Sequence, residues 1–268
     1  MIKLIAFDMD GTFLRSDNTY DVKRFECLYE KAKQWGIHIV PISGNQYFQI
    51  SSFFQKYQNE ITIASENGAL IFEGKKLIKD ASFDEKMIRD VLKEIQKLDL
   101  ERFVLLSGEK AGYVLKDADR KFKEESSIYY HKIIELSSFE KLPNDKIVKF
   151  AMIFKENMAD KIVEDLQKVC SGRGNAVNSG QGAVDINLLN VNKGTAIKYL
   201  ASRWQIDPSE IMAFGDSPND IEMLEFAENS YAMKNADPRA KQAAKFVTKF
   251  TNNEDGVLDI IENVALKD

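Results

Sequence analysis

The stretch Lys3-Leu4-Ile5-Ala6-Phe7-Asp8-Met9-Asp10-Gly11-Thr12 joins an almost purely apolar run to two carboxylates that stand two residues apart. The run from Lys3 to Phe7 predicts a short strand that is buried on both faces, as strands of parallel sheets are. In open α/β sheets, ligands bind outside the carboxyl ends of the strands. Asp8 and Asp10 would lie at such an end, and this is where we expect chemistry.

Asp8 and Asp10 allow a chemical interpretation and a structural one. Carboxylates held a few ångströms apart repel, so that one takes a proton or a cation neutralises both. Mg²⁺ takes oxygen ligands and is the natural partner. Asp8 would then attack an electrophile as a nucleophile, while Asp10 would act as acid and base. The alternative is that both are turn residues after a strand, because Asp-Gly is a common turn signal.

Composition places the 268-residue chain among globular proteins, with 44% hydrophobic and 29% charged residues. The net charge of −5, from 37 basic and 42 acidic residues, argues against nucleic acid or an anionic membrane as the main partner. No apolar stretch approaches the length of a membrane span. The start runs directly into the first predicted strand, and we therefore expect no signal peptide.

The cysteines and histidines are few. Cys27 and Cys170 are far apart in sequence, which favours reduced thiols over a disulfide and fits a cytoplasmic location. His38 and His131 are the only histidines, so that a His-rich zinc site or a Ser-His-Asp triad is not expected. Acid–base work would fall to carboxylates or lysines.

Helical and strand-like segments alternate on both sides of a central block. Strand, helix, strand, helix, strand with short connections is typical of a parallel sheet, and residues 69–72 suggest a small hairpin. We therefore predict an α/β fold with a Rossmann-like, doubly wound parallel sheet. The predicted strands are 3–7, 37–42, 61–64, 210–214, 230–233 and 246–247, and the predicted helices are 21–35, 46–57, 193–204, 221–227, 238–244 and 254–264.

The regular alternation of predicted strands and helices is interrupted in the central block. Amphipathic helices over 84–98 and 156–169 accompany strand-like runs, which predicts an α+β block of antiparallel strands and two helices. We expect a core of residues 1–82 and 189–268 and an inserted cap domain of residues 83–188. A lid of this kind closes over a site and excludes water. The strand-like runs of the block are 102–107, 112–115, 129–135 and 147–154.

A second acidic loop, Gly215-Asp216-Ser217-Pro218-Asn219-Asp220, follows the predicted strand 210–214. The ends of parallel strands lie along one edge, so that this loop can meet Asp8, and Asp216 would complete a metal site there. Ser217 and Pro218 suit a helix start. The alternative is capping alone, which explains Ser217 and Asp220 but leaves Asp216 unexplained.

Two further segments offer partners for an anion. Lys193 stands at a predicted helix start, where the helix dipole disfavours a cation unless an anion is bound. The other interpretation of Lys193 is a solvated surface lysine. Ser43-Gly44-Asn45 offers a hydroxyl, a glycine N–H and an amide to phosphoryl oxygens, although an ordinary strand-to-helix turn would look the same. Together the four segments predict phosphoryl transfer.

In this order the four segments resemble the haloacid dehalogenase superfamily of Mg²⁺-dependent phosphatases, and the inserted block resembles the C2B-type cap of its Cof-type subgroup (class IIB). The resemblance covers essentially the whole chain. It implies that Asp8 is the nucleophile, which forms an aspartyl-phosphate, and that Asp10 is the acid and base. It further implies Mg²⁺ ligands from the Asp8 carboxylate, the Asp10 backbone carbonyl and Asp216; phosphoryl contacts from Ser43, Gly44, Lys193 and Asn219; and supporting roles for Thr12 and Asp220.

One departure concerns the substrate. Many relatives carry Thr-Gly-Arg where this chain has Ser43-Gly44-Asn45, so that their substrates cannot be transferred. The segments 43–49 and 66–70 resemble the sugar-phosphatase branch of the subgroup. Asn45 and the loop 178–182, with Gly180 at its centre, are then expected to face sugar hydroxyls. An exposed Gly-rich turn is the alternative for this loop.

The expected function is Mg²⁺-dependent hydrolysis of small phosphate monoesters, above all sugar phosphates, by a cytoplasmic monomer or weak homo-oligomer that binds neither nucleic acid nor membrane. Two alternatives stay open. In a sugar phosphomutase or phosphotransferase, a second sugar hydroxyl would accept the phosphoryl group. In a non-enzymatic phospho-accepting regulatory domain, Asp10 and a large cap would be superfluous.

Overall fold

A computed structural model describes residues 1–154, 156–170, 172–180 and 182–267. The chain forms two compact units. The core unit comprises Met1–Gly44, Ile50–Ile78 and Asn192–Asp268, and the inserted unit comprises Asn45–Gln49 and Lys79–Val191. In the described parts of the chain, no helix is both long enough and apolar enough to cross a bilayer.

The strands and helices follow one another along both units. The strands are β1 (Leu4–Phe7), β2 (His38–Pro41), β3 (Thr62–Ser65), β4 (Leu70–Glu73), β5 (Lys76–Asp80), β6 (Val104–Gly108), β7 (Gly112–Leu115), β8 (Ile133–Leu136), β9 (Ile147–Ile153), β10 (Gly174–Gly180), β11 (Ala183–Leu188), β12 (Ile211–Gly215), β13 (Asn229–Ala232) and β14 (Phe246–Val247). The helices are α1 (Val22–Gln34), α2 (Tyr47–Phe53), α3 (Glu85–Lys97), α4 (Arg120–Tyr129), α5 (Glu156–Cys170), α6 (Lys193–Trp204), α7 (Ile221–Phe226), α8 (Pro238–Ala243) and α9 (Gly256–Ile260).

The core unit contains the predicted parallel sheet, in the order β14-β13-β12-β1-β2. Its neighbouring strands all pair in parallel, with Phe7 opposite Phe214 on β12 and opposite Pro41 on β2. β1 and β12 are buried along their whole length, as their apolar sequences predict. The predicted α/β class, with a parallel sheet and helices, is confirmed.

The third predicted strand behaves differently from the expectation. β3 pairs antiparallel with β4 in a separate sheet that also contains β5. A parallel bridge between Ile42 and Ala64 joins β3 to the end of β2. The short turn at Glu66–Gly68 makes β3 and β4 antiparallel, because two strands joined by so few residues can only run antiparallel.

Local sequence signals set the helix ends of the core unit. The Asp21 carboxylate caps α1 by accepting from the Arg24 N–H at 3.0 Å, and Gly36 follows the helix with a φ of +70°. Asn192 and Thr195 form a capping box at the start of α6. The predicted starts of these two helices therefore agree with the structure to within a residue.

The inserted unit is a six-stranded sheet in the order β10-β11-β9-β6-β7-β8. α3 and α5 contribute to its main apolar core, to which the sheet adds Leu106, Phe150 and Ile186. β7 and β8 run parallel, whereas only antiparallel strands were predicted for this block. The connection between them is α4, which the sequence analysis missed.

The helices and strands of the inserted block also differ from the prediction. α4 occupies residues that were left unassigned and the beginning of the predicted strand 129–135. It buries only Phe122 and Ser126, so that it lacks the apolar periodicity of a helix that contributes more to a core. β10 and β11 were also missed, because the stretch Asn175–Leu188 mixes small, polar and apolar residues.

Candidate active site

Three neighbouring strands of the core sheet end at residues that the sequence analysis identified. Asp8 follows β1, Ser43 lies two residues after β2, and Asp216 follows β12. β1 lies between the other two strands, and all three are parallel, so that the three loops meet at one carboxyl edge. The Asp8 N–H donates to the Phe214 carbonyl at 3.1 Å and ties the first loop to β12.

Lys193 connects two of these loops. Its Nζ donates to Asp8 Oδ1 at 2.5 Å and to Asp220 Oδ1 at 2.6 Å. The residue is only 1% exposed, so that its interpretation as a solvated surface lysine is wrong. The capping box of Asn192 places Lys193 at the first position of α6, from which it reaches both carboxylates.

The charge of Lys193 is set by competing effects. Burial lowers the pKa of its ammonium, and the N-terminus of a helix also disfavours a cation. The negative charges and hydrogen bonds of Asp220 and Asp8 outweigh both, and the pKa of Lys193 is raised above its ordinary value. Lys193 is therefore a buried group at the centre of the site whose positive form is favoured by Asp8 and Asp220.

Asp216 is held by the loop after β1. Thr12 Oγ1 donates to Asp216 Oδ1 at 2.9 Å. Gly11 has a φ of +77°, and a Cβ there would come within 2.6 Å of Asp216 Oδ2. A glycine is thus required at position 11, both for the backbone conformation and for the close approach of the carboxylate.

Asp220 is buried completely and shapes its own loop. While its Oδ1 accepts from Lys193, its Oδ2 accepts from the backbone N–H groups of Asp216 at 2.9 Å and Ser217 at 3.0 Å. Pro218 stands in the first turn of the short 3₁₀ helix Pro218–Asp220, as predicted. These bonds fix the backbone from which the Asp216 side chain projects.

The three carboxylates form one cluster. Oxygens of Asp8, Asp216 and Asp220 lie within 4.8 Å of one another. Burial raises the pKa of Asp8 well above its ordinary value although Lys193 opposes the shift, and burial together with the charge of Asp220 raises the pKa of Asp216. Carboxylate oxygens are the ligands that hard divalent cations prefer. This set of carboxylate oxygens suits Mg²⁺, and a bound cation would favour the ionised form of the acids.

Asp10 has different surroundings from Asp8. It is exposed, whereas Asp8 is 5% exposed. The turn between them is closed by the Phe13 N–H, which donates to the Asp8 carbonyl at 3.2 Å, and by the Leu14 N–H, which donates to the Met9 carbonyl at 2.8 Å. Two carboxylates two residues apart thus differ in solvent access.

The loop after β2 is held against the loop after β3. Ser43 is 2% exposed; its N–H donates to the Ala64 carbonyl at 3.0 Å, and its carbonyl accepts from the Asn67 N–H at 2.8 Å. A Cβ on Gly44 would lie 3.2 Å from Asn67 Oδ1, so that the two loops are in close contact. Ser43 and Gly44 therefore sit in a defined backbone at the sheet edge.

The two predicted substrate residues belong to the inserted unit. Asn45 lies in its segment Asn45–Gln49. Gly180 is the last residue of β10 and pairs with Ala183, so that residues 178–180 form a strand rather than the predicted Gly-rich loop. Gln181 lies outside the described residues.

Comparison with known proteins decides the family. The model of the family described as haloacid dehalogenase-like hydrolases matches residues 5–261, a range that contains every site residue named above. The chain is a haloacid dehalogenase-like hydrolase. The family resemblance predicted from the sequence is thereby confirmed.

Relatives of this haloacid dehalogenase-like hydrolase match over nearly their whole lengths. The chain is 36% identical to the 5-amino-6-(5-phospho-D-ribitylamino)uracil phosphatase YbjI of Escherichia coli, over 98% of this chain and 96% of that protein. It is 29% identical to phosphatase YwpJ of Bacillus subtilis, over 98% of this chain and 100% of the other. The crystal structure of SMU.1108c from Streptococcus mutans superposes with a TM-score of 0.90 at 33% identity, covering 100% of both chains.

The sequence analysis did not identify Asn67 as a residue of the site in this haloacid dehalogenase-like hydrolase. Asn67 has a left-handed backbone, with a φ of +55°, and its Oδ1 accepts from Asn219 Nδ2 at 3.2 Å. Asn219 Oδ1 in turn accepts from Lys193 at 3.4 Å and from Ser217 Oγ at 2.6 Å. The signal was available, because Asn67-Gly68 follows a strand end as the other site loops do.

Proposed function

We propose that this hydrolase is a Mg²⁺-dependent phosphatase that cleaves small phosphate monoesters through an aspartyl-phosphate intermediate. The observation that carries the proposal is the buried ammonium of Lys193 between Asp8 and Asp220, with the Asp216 carboxylate in the same cluster. Phosphoryl transfer needs an attacking group, charge neutralisation and fixed positions, and this arrangement supplies all three.

In the first step a carboxylate oxygen of Asp8 attacks the phosphorus atom in line with the ester oxygen. The bond from phosphorus to the ester oxygen breaks, and the Asp10 carboxyl group gives its proton to the departing alkoxide. Lys193 holds the Asp8 side chain in place and places a positive charge beside the transferring group. The exposed position of Asp10 suits a group that exchanges protons with solvent.

In the second step water attacks the phosphorus atom of the aspartyl-phosphate. Asp10, now a carboxylate, accepts a proton from that water, the bond between phosphorus and the Asp8 oxygen breaks, and inorganic phosphate leaves. Asp8 and Asp10 thereby return to their starting states. Ser43, Gly44 and Asn219 would donate hydrogen bonds to the phosphoryl oxygens.

The residues that would hold Mg²⁺ are Asp8 and Asp216 through their carboxylates and Asp10 through its backbone carbonyl. Asp220 and Thr12 hold this set in place, because they bind the Asp216 loop and the Asp216 side chain. Bound there, the ion supplies positive charge that offsets the repulsion between the acids and the phosphoryl oxygens.

Sugar phosphates are the proposed substrate class. The segment around Asn45 resembles the sugar-phosphatase branch, and the E. coli relative is named for a substrate that carries its phosphate on a ribityl chain, which is polyhydroxylated. The amide of Asn45 would bind hydroxyl oxygens of such a substrate. Gly180 would allow a hydroxylated group to approach the backbone.

Release of inorganic phosphate from a panel of sugar phosphates, nucleotides and pyridoxal phosphate, with Mg²⁺ or with EDTA, tests the proposal. We expect Mg²⁺-dependent release that is abolished in Asp8→Ala and strongly reduced in Asp10→Asn. Undiminished turnover of Asp8→Ala would contradict the proposed nucleophile. An isomerised sugar phosphate without phosphate release would instead identify a phosphomutase.

A further inference from the structure

The loop after β1 carries Asp10, and two of its carbonyl groups are held by side chains from the far end of the chain. The Gly11 carbonyl accepts from Asn235 Nδ2 at 2.8 Å. The Leu14 carbonyl accepts from Asn252 Nδ2 at 2.9 Å. The donors stand 224 and 238 residues away from these carbonyls in sequence, so that both bonds are tertiary contacts of the core unit and not part of a local turn.

The two asparagines are also joined to each other. The Asn252 N–H donates to Asn235 Oδ1 at 3.1 Å. An N–H can only donate and a carbonyl can only accept. The oxygen of the Asn235 carboxamide must therefore face Asn252, and its nitrogen must face the Gly11 carbonyl.

Asn252 provides a fixed starting point for this chain of hydrogen bonds. It is 6% exposed and begins the short 3₁₀ helix Asn252–Glu254. Thr251 and Glu254 form a capping box at the start of that helix. The backbone N–H that orients Asn235 is thus held by the local structure on both sides of it.

The segment that carries Asn235 also contacts the second acidic loop. It follows β13, and the Asp237 N–H, two residues after Asn235, donates to the Asp216 carbonyl at 2.8 Å. The hydrogen bond from Asn235 to Gly11 therefore ties the loop that carries Asp10 to the loop that carries Asp216.

The location of the Asp10 side chain depends on the backbone around it. Asp10 directly precedes Gly11 and forms a parallel bridge with Leu14, and its side chain is exposed. A general acid must come within about 3 Å of the oxygen that it protonates, and a displacement of about 1 Å slows such a step strongly. An exposed carboxyl group on a loop meets this requirement only where the backbone of the loop is fixed, and the carbonyls of Gly11 and Leu14 are two points at which it is fixed.

We propose that Asn235 is a positioning residue for Asp10, which holds the loop after β1 through the Gly11 carbonyl and so places the Asp10 carboxyl group for protonation of the departing alkoxide. The inference rests on the proposed phosphatase function. In the step concerned, the bond from phosphorus to the ester oxygen breaks, the ester oxygen keeps the electron pair, and the proton passes to it from the Asp10 carboxyl group. Asn235 acts through the backbone of the loop and transfers no proton itself.

Steady-state kinetics of Asn235→Ala with two kinds of ester test this inference. The alkoxide of a sugar needs a proton as it departs, whereas p-nitrophenolate is a stable anion that departs without one. The probes are therefore glucose 6-phosphate, ribose 5-phosphate and glycerol 3-phosphate on one side and p-nitrophenyl phosphate on the other. We expect kcat/KM for the best alkyl ester to fall about 10- to 100-fold. For p-nitrophenyl phosphate, kcat/KM should stay within about threefold.

A double variant shows whether the effect passes through Asp10. In Asp10→Asn the side chain no longer supplies the proton, so that its exact location matters little for the first step. Adding Asn235→Ala to Asp10→Asn should therefore lower kcat/KM for the alkyl ester by less than about threefold. A structural role of Asn235 that is independent of Asp10 would lower kcat/KM by the same factor in both backgrounds.

Asn229→Ala is the matched control. Asn229 begins β13, at the opposite end of the strand from Asn235, and its Nδ2 also donates to a backbone carbonyl, that of Ser209, at 2.8 Å. The control should keep kcat/KM for both kinds of ester within about twofold of the wild type. Because Asn235 is exposed, Asn235→Ala should fold as well, with a midpoint of thermal unfolding within about 4 °C of the wild type.

Three results would overturn the inference. They are an equal loss on both kinds of ester in Asn235→Ala, an unchanged kcat/KM for the alkyl ester, and a loss that persists in full in the Asp10→Asn background. A wild type that releases phosphate from neither kind of ester would instead refute the proposed function, and this inference with it.

Discussion

At the scale of single residues, the site depends on the balance between buried carboxylates and one buried ammonium group. Lys193 compensates part of the charge of Asp8 and Asp220, and its own charge is stabilised by them. Removing one partner of a buried charge pair costs far more than the pair itself contributes, because the other charges stay behind without compensation. Each member of the site is therefore sensitive to substitution.

Lys193→Met should show this sensitivity in two measurements. Without the ammonium, Asp8 and Asp220 repel each other and the developing charge on the phosphoryl group is not stabilised. We expect phosphate release to fall by at least about 10³-fold and the free energy of unfolding, measured with urea in EDTA, to fall by about 3 kcal/mol.

Lys198→Met provides the control on the same helix, because Lys198 is exposed and lies over the Phe226 ring at 5.4 Å. It should preserve turnover and change stability by less than about 0.5 kcal/mol. Turnover of Lys193→Met within tenfold of the wild type would contradict a central role for the buried ammonium.

At the scale of elements, tight loops position the side chains of the site, while strands and helices fix where these loops begin and end. The loop after β1 turns at Gly11 so closely past Asp216 that a side chain has no room there. Gly36, after α1, has a similar φ of +70° but nothing within 4 Å of a hypothetical Cβ. A comparison of the two glycines therefore separates the effect of a left-handed backbone from the effect of a crowded Cβ position.

Gly11→Ala and Gly36→Ala should therefore behave differently. In each variant the free energy of unfolding should fall by about 1 kcal/mol, because alanine is unfavourable in a left-handed backbone. Thermal unfolding would detect this loss. Only Gly11→Ala also displaces the Asp216 carboxylate, and we expect its kcat/KM for phosphate release to fall at least about tenfold. Equal kcat/KM in the two variants would refute the positioning of Asp216 by this loop.

The aromatic contacts between the loop after β1 and α1 lead to a prediction on pH. Tyr20 packs against Phe13 at 4.8 Å and Phe25 at 5.6 Å, and its hydroxyl donates to the Phe53 carbonyl at 2.6 Å. Burial raises the pKa of Tyr20 from 10.0 to about 12. The folded state thus favours the neutral phenol, whose contribution is complete below pH 10 and is lost as the pH rises towards 12.

Tyr20→Phe removes this titration. The stability advantage of the wild type over the variant should shrink by about 1 kcal/mol between pH 10 and 12, a figure reduced for the partial exposure of the ring. Urea unfolding at several pH values measures it, with the absorbance of tyrosinate as a direct readout. Parallel stability curves for the two proteins would contradict the shifted pKa.

At the scale of the whole molecule, ligand binding and folding are linked. A cation that binds the acid cluster of the native state, and that has no comparable site in the unfolded chain, stabilises the fold by mass action. Mg²⁺ at about 100 times its Kd should add about 2.7 kcal/mol to the free energy of unfolding, which a thermal shift assay would show.

Asp216→Asn should abolish this stabilisation by Mg²⁺, because it removes a carboxylate of the cluster. Asp117→Asn, at an exposed position of the inserted unit, is the control and should retain it. A full Mg²⁺ effect in Asp216→Asn would mean that the ion binds elsewhere.

Helix α4 was not predicted from the sequence, and its contacts show why. α4 is stabilised on its outer side by ion pairs of Arg120 with Glu124 at 2.8 Å and of Lys121 with Glu125 at 3.3 Å. Charges at this spacing support a helix, but they carry no apolar period. The cap at Asp119, which accepts from the Phe122 N–H at 3.0 Å, was the signal that could have found it.

The sequence by itself determined the α/β class and the residues at the carboxyl ends of three core strands. Short apolar runs that stop at Asp8, Ser43 and Asp216 carry that information locally, since strand burial and turn chemistry depend on neighbouring residues. Only the tertiary structure decided that Lys193 is buried between Asp8 and Asp220 and that Asn67 reaches Asn219. Those relations join residues far apart in the chain, and register and packing, rather than local pattern, bring them together.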